Sequence, residues 1–102
     1  MEKNYQHITK MENIMVRQEA TVKKLEAVLD ELDAQQKDYE ALSTYFYSDR
    51  RSQDLEDEEN HLIPEDLRRG VLSEDEVYNL FLDSRDAALH MMEAALKILK
   101  TN

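Results

Sequence analysis

The sequence predicts an all-α protein: an antiparallel helical hairpin of two long helices, with short helical segments in the connection, completed to a bundle by oligomerisation. Three observations predict it. One Gly and one Pro in 102 residues leave few obligate turns, whereas an all-β fold needs turn chemistry at every reversal. Between about residues 5 and 47 neither occurs, and apolar residues recur every seven positions. Charged residues make up 35% of the chain, above the ordinary ~25%, which suits long solvated helices.

The first helix is expected over about residues 5–47. Ile8, Met15, Val22 and Leu29 fall on one heptad position. Met11, Leu25, Leu32, Tyr39 and Phe46 fall on the other. Ile14, Val28 and Leu42 widen the stripe on one flank, and Glu12, Glu19, Glu26, Asp33 and Glu40 line the opposite one as a solvated acidic edge. Gln18 and Gln36 interrupt the seam, either as tolerated polar positions or as residues that fix register. A helix of this length spans roughly 60 Å.

The connector, about 48–72, is too patterned for a disordered linker. Asp49 to Glu59 suits a short helix with Leu55 inward. Pro64, then Glu65 and Asp66, reads as a helix start, because Pro suits the first turn and acids suit the positive end of the dipole. Arg68 and Arg69 then occupy its last turn, and Gly70 stands where a left-handed cap residue belongs. Ser73 opens the next helix as the N-cap of a capping box with Glu76, and Val71 or Leu72 offers a hydrophobic staple to Val77.

The last helix is expected over about 73–100. Val77, Leu80, Phe81, Ala88, Met91, Met92, Ala95, Ile98 and Leu99 repeat at helical spacing. Ala87 and Ala88 recur seven residues on as Ala94 and Ala95, which permits close helix approach. The methionines serve either as core filling or as an adaptable binding face. At roughly 42 Å this helix covers only part of the first. A single domain over 1–102 therefore keeps apolar surface wet, with Ile8 and Met11 least covered. Such surface marks association, and a homodimer completing a bundle is the expected outcome.

The residues Tyr45-Phe46-Tyr47-Ser48, Asp54-Leu55-Glu56 and Ile63-Pro64-Glu65-Asp66-Leu67-Arg68-Arg69-Gly70-Val71-Leu72-Ser73-Glu74-Asp75-Glu76-Val77-Tyr78-Asn79-Leu80 carry a family resemblance. The chain resembles a family of short bacterial helical proteins, domain of unknown function 4298, with an LPxDLKRGVLSEDxVY-like signature. Relatives carry Trp near Arg51 and Gly near His61, so the chain departs from the family there. The resemblance implies a helical fold and a bacterial, cytoplasmic setting, and no assigned activity.

A formal net charge of −10 opposes nucleic acid and anionic membrane as partners. The absence of cysteine removes disulfides, thiolate metal sites and a cysteine nucleophile. No apolar leader or spanning run is present in the sequence, so a soluble cytoplasmic protein is expected. No phosphate loop or nucleophile elbow occurs, and no catalytic residue or cofactor is assigned. Glu58 and His61 form one Glu-x-x-His, which with Asp57 is the only metal-site candidate, and it needs a second copy. Tyr45, Tyr47, Arg68, Arg69 and Tyr78 are the partner-binding candidates, since Tyr and Arg are enriched at hot spots. Their alternative is structural, with Asp66 and Glu76 pairing the arginines and the tyrosine hydroxyls in water. The expected function is a non-enzymatic interaction module, a homo-oligomeric adaptor or scaffold with an unidentified protein partner. The alternatives are a metal-dependent carboxylate/histidine site at a dimer interface and an acidic decoy for a basic protein.

Overall fold

A computed structural model describes residues 3–101. Among them lie three α-helices and a 3-10 turn: α1 (Gln6–Phe46), α2 (Asp49–Glu59), the turn (Gly70–Leu72) and α3 (Glu74–Thr101). The described chain is helical with no strand, as the scarcity of Gly and Pro predicts. No helix among the described residues is long and apolar enough to cross a membrane. The chain divides into two compact units, Met1–Ala41 and Leu42–Asn102.

The first unit is the body of α1. The Asn4 side chain accepts the Gln6 N–H at 2.9 Å and closes the open end of the helix. With 41 residues and no Pro or Gly inside, nothing in the sequence interrupts the backbone ladder. No residue of α1 is buried. Of the predicted seam, Ile8, Met11, Met15, Val22, Leu25 and Leu32 are exposed, whereas Leu29, Tyr39 and Phe46 are half-buried. The Gln36 amide donates to Glu40 on its own helix at 3.3 Å.

The second unit gathers the end of α1, then α2, the 3-10 turn and α3. Ser48 caps α2, its hydroxyl accepting the Arg51 N–H at 3.2 Å. Leu55 is half-buried, as the short-helix reading of 49–59 requires. Ser73 caps α3 by accepting the Glu76 N–H at 3.3 Å. Of the two staple candidates, Leu72 is half-buried and Val71 exposed, while Val77 is 5% exposed and forms the centre of the unit.

Two expectations for the connector are corrected. Pro64 begins a turn rather than a helix: the Leu67 N–H bonds the Pro64 carbonyl at 3.1 Å, and no helix follows. The reason lies in Arg69, whose guanidinium takes the Pro64 carbonyl at 2.7 Å and the Leu67 carbonyl at 3.3 Å. The Pro64 oxygen would otherwise accept a helical N–H, whereas the Leu67 oxygen, in the last turn, would have no donor within the helix. Gly70 is not a left-handed cap either, since no glycine has positive φ. It opens the 3-10 turn, where a Cβ would lie 2.6 Å from Glu76 Oε2. The left-handed residue is His61, at φ 56 just past α2.

Candidate functional site

The residues singled out as candidates lie in the second unit, whose centre is held by a side chain that was not among them. Arg51 projects from the first turn of α2 and is 8% exposed. Its Nε donates to the Val71 carbonyl at 3.1 Å, and its Nη2 reaches the Leu72 carbonyl at 3.5 Å. Its guanidinium carbon sits 4.3 Å from the Phe46 ring centroid. A buried charge needs compensation. Here it comes from two carbonyls at the end of the 3-10 turn and from the negative face of an aromatic ring. Phe46 also meets Phe81 edge-on at 5.5 Å and 87°. One cluster thus ties the end of α1, the first turn of α2, the 3-10 turn and the start of α3.

Around it the candidates divide. Tyr45 is half-buried, and its hydroxyl donates to Asp54 at 2.6 Å. Burial, followed by that bond to Asp54, raises its pKa above the ordinary phenol value. Its hydroxyl therefore has a protein partner, where the structural alternative expected it in water. Asp54 in turn meets Arg50 at 3.5 Å. Arg69 pairs with Glu58, its Nη1 lying 2.8 Å from both carboxylate oxygens. The pairing with Asp66 or Glu76 expected from the sequence is corrected to Glu58, eleven residues back. That fork also holds the Pro64 and Leu67 carbonyls, so Arg69 fastens the loop. Tyr47, 74% exposed, stands outside, though its ring meets Phe46 at 5.0 Å. Tyr78 is also exposed, and Arg68 is exposed with no ion pair among the described residues.

Asp57, Glu58 and His61 do not converge. Asp57 accepts from Gln53 at 3.0 Å, Glu58 is held by Arg69, and His61 sits in the left-handed residue after the helix. Among the described residues no group of three or more His, Asp or Glu is placed to hold a metal.

The larger unassigned surface is apolar. On α3, Val77, Phe81, Ser84, Ala88, Met91, Ala95 and Ile98 follow alternating steps of four and three. One residue later the same steps give Tyr78, Leu82, Arg85, Leu89, Met92, Leu96 and Leu99. The two seams lie about 100° apart around the helix. The first carries buried Val77 and the Phe81–Phe46 contact. The second is exposed throughout, from Leu82 to Met92 at 64% and Leu99 at 72%. Its signal in the sequence is the spacing of Leu82, Leu89 and Leu96.

A protein-family model, Domain of unknown function (DUF4298), matches residues 8–94. No curated protein and no solved structure matches.

Proposed function

This chain belongs to the DUF4298 family, and from that premise we propose that it works without chemistry of its own, as a homo-oligomeric helical interaction module. The observation that carries the reading is the pair of seams on α3. A helix apolar on so wide an arc belongs in an interior. Among the described residues only one other long helix is available, α1. In this reading α3 returns along α1 as an antiparallel hairpin. The Val77 seam faces inward, and Ser84, Ala88 and Ala95 allow close approach. A helix on that side leaves the Leu82–Leu89–Leu96 seam in water, and a second copy covers it to complete a bundle. The bonding of the corner favours a scaffold over an enzyme, since Tyr45, Glu58 and Arg69 already serve structural partners.

Thermal unfolding tests this reading. An oligomer's melting temperature rises with protein concentration, because association is linked to folding. The midpoint should rise across a hundredfold dilution series, and Leu89→Asp should flatten that dependence. A midpoint independent of concentration in the unmodified chain contradicts the proposal.

A further inference from the structure

The N-terminal third of α1 differs from the rest of the molecule in charge. From Ile8 to Glu26 the chain has four basic residues, Lys10, Arg17, Lys23 and Lys24, against three acidic ones, Glu12, Glu19 and Glu26. The whole chain has 13 basic and 23 acidic residues. The acid excess that keeps copies apart is therefore absent from this segment. Its seam is bare, with Ile8, Met11, Ile14, Met15, Val22 and Leu25 all exposed on an unbroken helix.

The charges are also sorted. Glu12, Glu19 and Glu26 run along one side of that seam at seven-residue intervals. Lys10, Arg17 and Lys24 run along the other side at the same interval. Residues seven apart stay nearly aligned on a helix, so the apolar face lies between an acidic row and a basic row. The basic row ends there: its next members are Glu31 and Asp38.

Two copies of such a face can meet in two ways. With the helices parallel, a two-fold axis along them sets the acidic row of each against the basic row of the other. With the helices antiparallel, acid meets acid and base meets base, which is destabilising. A basic partner would fit the acidic row and be repelled by the other, whereas a second copy satisfies both rows. We infer that residues 8–26 of α1 pair in parallel with the same residues of a second copy, Met11 against Met11, and that the pairing ends beyond Leu25 where both flanks turn acidic. This rests on the self-association proposed above, adds a second contact between the copies to that of the Leu82–Leu89–Leu96 seam, and requires α3 to leave residues 8–26 of α1 uncovered.

The chain has no cysteine, so single-cysteine variants report the pairing directly in the full-length protein. A disulfide needs Cα atoms within about 7 Å. Met11→Cys should give a covalent dimer as its main oxidised product, and Asn13→Cys, on the polar side, should not. The triple variant K10E/R17E/K24E should weaken association at least tenfold alone and recover it when mixed with E12K/E19K/E26K. If Met11→Cys fails to cross-link while sedimentation still finds dimers, the parallel pairing is wrong and the module reading survives. If sedimentation finds only monomer, both fall together.

Discussion

Arg51 lies with its guanidinium carbon 4.3 Å from the centroid of Phe46, and the same guanidinium bonds the carbonyls of Val71 and Leu72. One side chain thus joins residues 20 positions apart in a unit whose only buried apolar side chain among the described residues is Val77. Arg51→Met keeps most of the volume and loses the charge and both bonds. It should cost about 2–4 kcal/mol, from charged hydrogen bonds and the ring contact together. Arg51→Lys should recover less than half, because an ammonium lacks the planar fork. Chemical denaturation checks both, and a loss below about 1 kcal/mol for Arg51→Met would remove Arg51 from the centre of this account.

Tyr45 links stability to pH. Burial and the bond to Asp54 hold its phenol protonated, so its folded pKa lies above the unfolded value of 10.0. Between those two values the folded state binds more protons than the unfolded state, so stability falls as pH rises. The contribution is complete below pH 10 and lost as pH climbs through the raised folded value. Unfolding of Tyr45→Phe should show a shallower alkaline decline above about pH 10 than the parent. Parallel declines would contradict the assignment.

The Glu58–Arg69 pair is about one-third exposed at each partner, 33% and 32%. Solvent screening therefore limits the pair itself to a coupling energy of about 0.5–1 kcal/mol in a double-mutant cycle. Arg69 also holds two loop carbonyls, so Arg69→Ala should cost more than Glu58→Gln. Equal losses would show that the loop bonds contribute nothing. Hydrogen exchange at the Leu67 amide, which is bonded to Pro64, should quicken in Arg69→Ala alone.

Gly70 and His61 exchange the roles that their residue types suggest. Gly70 has no positive φ, and the group a Cβ would meet is the mobile end of the exposed Glu76 side chain. Gly70→Ala should therefore change stability by less than about 0.5 kcal/mol, since the entropy gain offsets moving one carboxylate. A left-handed glycine would lose more than about 1 kcal/mol on the same change. His61 holds φ 56, so His61→Gly should stabilise by about 0.5–1 kcal/mol. Urea midpoints of the two variants distinguish the assignments.

Much of this was legible in the sequence because it is local. The extent of α1 follows from a stretch without breakers, and the start of α3 follows from Ser73 and Glu76. What was hidden depends on contacts remote in sequence. Arg69 reads as a helix-terminating cation until its partners, Glu58 and the Pro64 carbonyl, are seen to replace a helix with a turn. Arg51 did leave a trace: a cation in the first turn of a helix opposes the dipole, and a broken local rule points to a role elsewhere. The second seam on α3 was masked because apolar positions one residue apart read as one broad stripe. Of the candidate partner surface, Tyr45 and Arg69 bond within the chain to Asp54 and Glu58, while Tyr47, Arg68 and Tyr78 are exposed.

Sedimentation equilibrium of the full chain at physiological salt tests the central claim most directly, because it weighs the particle without reference to any partner. A species of at least twice the chain mass is expected, shifted to the chain mass by Leu89→Asp combined with Leu96→Asp. A single species at the mass of one chain, unchanged at the highest soluble concentration, would contradict it.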